Sequence, residues 1–315
     1  MKDYIIIIVV FIALLLTTPP LFKAVNPNPA SLESGGEAYH FPRSITLHLI
    51  ESEDIIRLSV EDYLVGCLFA QIPVTFHEQA LRAQAVAAHT YLLRLLEDNT
   101  VITDDSATCQ PFFTEDRAKE HYGARYDEYL EKVRAAARFG ASRAVFYKNE
   151  PIHAVYHSVS AGVTNTAFSI WGRDLPYLQS VESSWDREHP DFMVINEITA
   201  ETIRLTLFDY NKTASMPVDY EMWFVNPVKN EFGYVLSLRL GEVLLSGGDM
   251  WRLFNLRSPS FEVSYRRDGI FTIETRGFGH GAGLSQYGAD VLGRRGFSAE
   301  DILLHYYTDV NIVLA

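Results

Sequence analysis

An α+β fold is predicted by three observations. The segment after Pro73 carries an apolar stripe at helical spacing, Leu81, Ala85, Ala88, Leu92 and Leu95. Several short runs alternate apolar and polar residues at strand period, among them SITLHLI and DIIRLSV near residues 44–60. Helical and strand runs then follow one another without regular βα alternation, which argues against a doubly wound parallel sheet. No repeat of 20 to 50 residues is present.

Taken in order, Tyr4–Leu16 is almost wholly apolar, thirteen residues, and the apolar character continues weakly to Phe22, giving nineteen. A membrane span needs roughly 20 apolar residues and a signal-peptide core fewer. No A-x-A-like cleavage site precedes AVNPNPASLESGGEAYH. Residues 1–22 are therefore read as a single-pass membrane anchor through residues 4–22, with the main domain extracytoplasmic. A cleaved signal and a buried helix are the alternatives. Residues 23–43, rich in Pro, Asn, Ser and Gly, read as a linker, and 44–315 as one domain.

Within that domain, residues 44–60 read as a hairpin, and VEDYLVGCLFAQI as a helix that Pro73 interrupts. The alanines of the next helix let a neighbouring helix approach closely, and His89 lies at the edge of its buried face. TEDRAKEHYGARYDEYLEKVRAAAR, 114–138, reads as a solvated helix broken near Gly123. RAVFYKN and PIHAVYHSVSAG read as β, and residues 191–275 as mixed helix and strand.

A formal net charge of −13 argues against nucleic acid as the main partner, because phosphate binding wants a basic face. Two cysteines, Cys67 and Cys109, make no disulfide framework; a single pair and two free thiols both stay open.

Two stretches could carry chemistry. In HAVYHSVSAGVTNTAFSIWG, His153 and His157 stand four apart, which is metal spacing on a helix but not on a strand, and no third ligand is nearby. Ser158 and Ser160 lack the G-x-S-x-G elbow. A polar, substrate-contacting or structural strand is the better reading. In RGFGHGAGLSQYGADVLGRRG, glycines alternate from Gly277 to Gly283 ahead of a helix. No G-K-[ST] follows and there is no βαβ unit with an acid about 20 residues on, so a nucleotide loop is disfavoured. The glycines read instead as backbone packed too closely for side chains, presenting His280, Ser285, Gln286 and Tyr287 beside a loop that could approach a sugar polymer.

Read together, these blocks resemble the stage II sporulation protein D family of sporulation peptidoglycan lytic transglycosylases. The resemblance rests on VEDYLVGCLFAQIPVTFHEQALRAQAVAAHTYLL, TDDSATCQPFF, AVYHSVSAGVTNTAFSIWG with PYLQSVESSWD, LSGGDMWRLFNLRSPSFEV, and GFGHGAGLSQYGADVLGRRGFSAEDILLHYYTDV. It implies helices and strands around a glycan-binding groove with an N-terminal transmembrane helix. It also implies action on peptidoglycan glycan strands during engulfment, at the forespore septum. The implied partners are stage II sporulation proteins P and M. No cofactor and no metal is implied. The substrate contacts would come from His157, Ser158, Ser160, His280, Ser285, Gln286 and Tyr287.

Two positions depart from the family pattern. Where the family carries its catalytic Glu, just before an Ile-Pro or Met-Pro step, this chain has Gln71, and where the family has Arg it has His89. A glutamine amide can hydrogen-bond a sugar but cannot deliver an acidic proton. Three readings follow: a glycan-binding homologue with weakened catalysis, an active lytic transglycosylase using His89, Glu61 or Asp62 as a substitute acid, and a membrane-anchored scaffold without glycan contact. The first reading places the glycine loop, the His-Ser strand and Gln71 around one groove.

Overall fold

The structure, a computed structural model, describes residues 39–315. The chain opens with an antiparallel hairpin, β1 (Ser44–His48) and β2 (Ile55–Ser59). Helix α1 (Val60–Gln71) follows at once, because the Ser59 hydroxyl accepts from the Asp62 amide and Glu61 and Asp62 occupy the first turn. It stops at Ile72, whose extended backbone precedes Pro73. After a short break comes α2 (Glu78–Glu97), the helix read from the apolar stripe.

The charged stretch splits at Gly123, as the sequence suggests, into α3 (Glu115–Tyr122) and α4 (Tyr126–Ala141). It is not a solvated helix throughout. Tyr126, Tyr129, Val133, Ala136, Ala137 and Gly140 of α4 are buried, at helical spacing. The close approach that alanines permit is made here: a Cβ on Gly140 would stand 2.6 Å from that of Ala85. Helices α1, α2 and α4 enclose one apolar core, including Leu64, Leu68, Leu81, Leu92 and Val133.

A second core lies on the other side of α2. It takes in the sheet of β3 (Arg143–Tyr147), β4 (Glu150–Pro151) and the C-terminal β13 (Asn311–Leu314), and helices α8 (Gln286–Arg294) and α9 (Ala299–Tyr306). Between β4 and α8 the chain forms β5 (Tyr156–His157) and α5 (Ala167–Trp171). The span 193–276 builds a third core of its own from β6 (Met193–Thr199), α6 (Ala200–Tyr210), β7 (Phe224–Lys229), β8 (Val235–Leu240), β9 (Val243–Ser246), α7 (Gly247–Leu253), β10 (Phe261–Arg266) and β11 (Ile270–Arg276). Its sheets run β10-β11-β6 and β7-β8-β9. The α+β class holds.

The strand expected over PIHAVYHSVSAG is mostly irregular. After Pro151, which ends β4, only Tyr156–His157 pairs as a strand, parallel to β12 (Leu284–Ser285), with single bridges joining Val159 to Phe278 and Asn165 to Ala282. The single-pass membrane placement is corrected: among the described residues no helix is long and apolar enough to cross a membrane. Residues 4–22, on which that reading rested, lie outside the described residues, as does most of the 23–43 linker. Cys67 and Cys109 are buried free thiols.

Candidate functional site

Gln71 ends α1 at the wall of an open cleft of about 460 Å³. One side of the cleft is the break from Ile72 to Thr75, and the other is aromatic: Phe69, Phe113, Tyr122 and Tyr129, with His121 at the edge. The break is held from beneath. The ammonium of Lys132 on α4 donates to the carbonyls of Val74, at 2.9 Å, and Phe76. The Asp290 carboxylate on α8 accepts from the His77 amide and is itself paired with Arg294 at 2.8 Å.

Every polar atom of the Gln71 side chain is engaged by protein. Its Nε2 donates to the Pro111 carbonyl at 2.9 Å. Its Oε1 accepts from the Tyr156 hydroxyl and from Gln84 Nε2 at 3.2 Å. The contacts run on into the interior. The Tyr156 hydroxyl also reaches Gln110 Oε1 at 3.0 Å, and Gln110 donates to the Ala88 carbonyl at 3.0 Å and the Tyr63 hydroxyl at 3.3 Å. Gln286 on α8 donates to the Gln71 backbone carbonyl at 3.0 Å and to Gln84 Oε1 at 3.3 Å. A buried polar network of this kind is stable when each member is satisfied, and it contains no carboxylate. Tyr156, Gln84 and Gln110 were missed in the sequence. Gln84 had left a signal, since it falls between Leu81, Ala85 and Ala88 on a buried stripe.

The glycine loop and the His-Ser segment form one unit. Gly277, Gly279, Gly281 and Gly283 all have positive φ. A Cβ on Gly277 would stand 2.7 Å from the Val159 carbonyl oxygen, and one on Gly283 would overlap that of Val155. The close approach that Gly277 and Gly283 permit is therefore to the protein's own backbone, and that of Gly281 is to the Tyr234 ring. Asp186 secures the same junction: it accepts from the Ser160 amide at 2.7 Å and the Ser285 hydroxyl at 2.8 Å, and burial raises its carboxyl to about 6.

Of the residues read as substrate contacts, His157, Ser160, Ser285 and Gln286 are buried, while Ser158, His280 and Tyr287 are half-buried. His157 Nδ1 bonds the Ala282 carbonyl at 3.0 Å, and its ring lies 5.8 Å from that of His280, which in turn lies 5.2 Å from exposed Trp171. Burial, then the neighbouring His280, pushes His157 down to about 3, and burial holds His280 near 4. Ser158 contributes its carbonyl to the Tyr287 amide at 3.0 Å, and the Tyr287 ring meets His189 edge-on at 4.7 Å. The structure thus brings Gln71 and Gln286 into contact, and places the His157–His280 pair against the loop that precedes Gln286.

His89 is elsewhere. It is fully buried, its Nδ1 contacts the carbonyls of Gly140 at 3.0 Å and Arg143 at 2.8 Å, and its ring meets Phe41 edge-on at 5.1 Å. It shares no hydrogen-bond partner with Gln71, so the two departures are not joined by direct contact. The other substitute acids are also occupied: Glu61 pairs with Arg138 at 2.9 Å, and Asp62 caps α1 through Ser59. No group of three or more His, Cys, Asp or Glu suited to a metal occurs among the described residues.

Comparison with known proteins agrees with the resemblance drawn from the motifs. A family model described as stage II sporulation protein matches residues 51–147. The chain is 30% identical to stage II sporulation protein D of Bacillus amyloliquefaciens over 278 residues, covering 86% of this chain and 79% of that protein. It is 29% identical to stage II sporulation protein D of Bacillus subtilis (strain 168) over 339 aligned residues, 99% of this chain and 96% of that one. An amidase enhancer of the same strain is 23% identical over 291 residues, 78% of this chain and 39% of the relative.

Proposed function

We propose that this chain, which belongs to the stage II sporulation protein D family, binds peptidoglycan glycan strands at the cleft beside Gln71 and cleaves them weakly or not at all. The observation that carries this reading is the Gln71 amide, held by Tyr156, Gln84 and Pro111 at the wall of an aromatic cleft. Cleaving a glycosidic bond needs a proton delivered to the leaving oxygen, and a neutral amide has none to give. A lytic transglycosylase asks more of this position, because one carboxyl there acts first as acid and then as base while the sugar's own 6-hydroxyl attacks. The positions of His89, Glu61 and Asp62 favour weakened catalysis over a substitute acid. The mixed aromatic and backbone lining of the cleft suits a saccharide, whose rings have apolar faces and polar edges. Stage II sporulation proteins P and M are the partners this reading takes from the family.

Two assays on the purified protein test it. Sedimentation with isolated peptidoglycan should retain the chain, and release of anhydro-muramyl ends should stay near background. Failure to sediment would remove the glycan reading. Rapid release of anhydro-muramyl ends would show that another residue supplies the proton.

A further inference from the structure

The break between α1 and α2 forms one wall of the cleft, through Ile72, Pro73, Val74 and Thr75. Two hydrogen bonds hold it from within: the Ile72 amide donates to the Leu68 carbonyl at 3.3 Å, and the Phe76 amide to the Pro73 carbonyl at 3.0 Å. Three more of its backbone groups are held by side chains of two other helices. From α4, the Lys132 ammonium donates to the carbonyls of Val74, at 2.9 Å, and Phe76. From α8, the Asp290 carboxylate accepts from the His77 amide. Opposite charges thus grip opposite backbone groups of one short segment.

Lys132 is half-buried, and it has no partner among the ion pairs of the described residues, although the chain carries a net charge of −13. Burial lowers the pKa of its ammonium, and Asp290 acts against that at longer range. A half-buried cation costs desolvation that an apolar side chain of the same length would not. What it gains here is reach in two directions, since an ammonium carries three donors on one atom and bonds two carbonyls two residues apart. Lys132 does not itself line the cleft, so any effect it has on a ligand passes through the break. We propose that Lys132 is a positioning residue for the cleft: by fixing the carbonyls of Val74 and Phe76 it holds the break in the shape that binds glycan. The inference rests on the glycan reading above and names what keeps that site in its binding form. Without the ammonium the break samples other shapes, and apparent affinity falls in proportion to the fraction of molecules still in the binding shape.

The test uses the full chain and isolated peptidoglycan, with binding measured by sedimentation over a range of peptidoglycan concentrations. It compares wild type, Lys132→Met, Lys132→Arg and Ile203→Val. Ile203 is buried in the third core, so its variant lowers stability without touching the break. Hydrogen exchange of residues 72–77, followed by mass spectrometry, reports on the break itself, and exchange elsewhere reports that each variant is folded. Lys132→Met should bind about tenfold more weakly than wild type, the worth of one charge-assisted contact, and its break should exchange about tenfold faster. Lys132→Arg, which keeps the charge and the donors, should come within about threefold of wild type. Ile203→Val should match wild type in both measurements. Wild-type binding by Lys132→Met would overturn the proposal and leave the glycan reading intact. So would an equal loss in Ile203→Val, which would reduce the effect to general loosening, or a Lys132→Arg no tighter than Lys132→Met. Weaker binding by Lys132→Met with unchanged exchange at the break would overturn it too, since Lys132 would then not act through the break. If wild type does not sediment, the glycan reading and this role fall together.

Discussion

The side-chain amide of Gln286 donates at 3.0 Å to the backbone carbonyl of Gln71, a residue 215 positions earlier. That carbonyl belongs to the last turn of α1, where helix carbonyls lack intrahelical partners. One contact therefore ties the end of α1 to the start of α8 and closes the glycine-loop side of the site onto the Pro73 break. Gln286 also supports Gln84, so the positions of all three amides depend on one another.

Gln286→Met should accordingly destabilise the fold by about 2–3 kcal/mol, because it leaves the Gln71 carbonyl and Gln84 Oε1 short of a donor in a buried place. Urea unfolding monitored by tryptophan fluorescence gives the number. A loss below about 0.5 kcal/mol would mean that water satisfies both acceptors equally well.

Much of this scaffold was legible in the sequence because it rests on periodicity. The stripe of α2, the Pro73 break and the Gly123 break are local signals, and each is where the residues put it. The buried face of α4 was not legible, since tyrosines, alanines and a glycine among abundant charges make a weak apolar pattern. Its partner was hidden for the same reason: Gly140 matters only because Ala85 lies against it. The amide network was hidden more deeply. Tyr156, Gln110 and Gln84 converge from a strand, an irregular segment and a helix, and none titrates near neutrality to draw notice. His89 was singled out through a family pattern alone, and its surroundings, a helix end and Phe41, left no periodic signal.

Gly283→Ala should be among the most damaging single-methyl additions in the chain. Gly283 has φ +69°, where an L-residue is strained, and its new Cβ would meet the Val155 carbonyl oxygen. A loss of at least about 3 kcal/mol is expected, enough to lower the melting temperature by several degrees. Gly172→Ala, in the αL region at φ +66° and ψ +15° and facing open space, is the control and should cost only about 1 kcal/mol. Equal effects at the two sites would show that close packing of the loop adds nothing.

Stability should fall on mild acidification through two imidazoles, those of buried His157 and half-buried His280. His157 is pushed down to about 3 and His280 to about 4. A depressed histidine leaves the unfolded chain binding more protons, so stability is complete above the unfolded value near 6.5 and is lost as pH falls toward the folded value. Each such group contributes up to about 1.4 kcal/mol per pH unit in that window. Asp186 works the other way: its carboxyl, raised to about 6, favours the folded state as pH drops from 6 toward 4. His157→Asn keeps a donor for the Ala282 carbonyl but removes one titration. Its pH profile between 6 and 4.5 should therefore be shallower than that of wild type by nearly one proton. Identical slopes would place the lost protons elsewhere.

On the proposed glycan reading, Gln71→Glu should confer cleavage. The site dictates how the new carboxyl would sit. The oxygen replacing Nε2 would face the Pro111 carbonyl at the present 2.9 Å, and two bare oxygens repel at that distance. That oxygen must carry the proton and donate it, while the other accepts from Tyr156 and Gln84. Partial burial and the Pro111 carbonyl both favour the protonated form, which raises the pKa toward the range of a general acid. Release of anhydro-muramyl ends from glycan strands should rise on the order of 10²-fold over wild type, within the usual span of acid–base catalysis. Gln71→Leu, of similar size and without a proton, should stay at the wild-type level. Adding His89→Arg should not raise activity further, because position 89 is buried against Gly140, Arg143 and Phe41 and a guanidinium there would lack an acid to pair with. The double variant should instead unfold at lower denaturant than Gln71→Glu alone. Equal cleavage by wild type and the Glu variant would end this account of Gln71, and a further gain from His89→Arg would restore a link between two positions that share no contact in this structure.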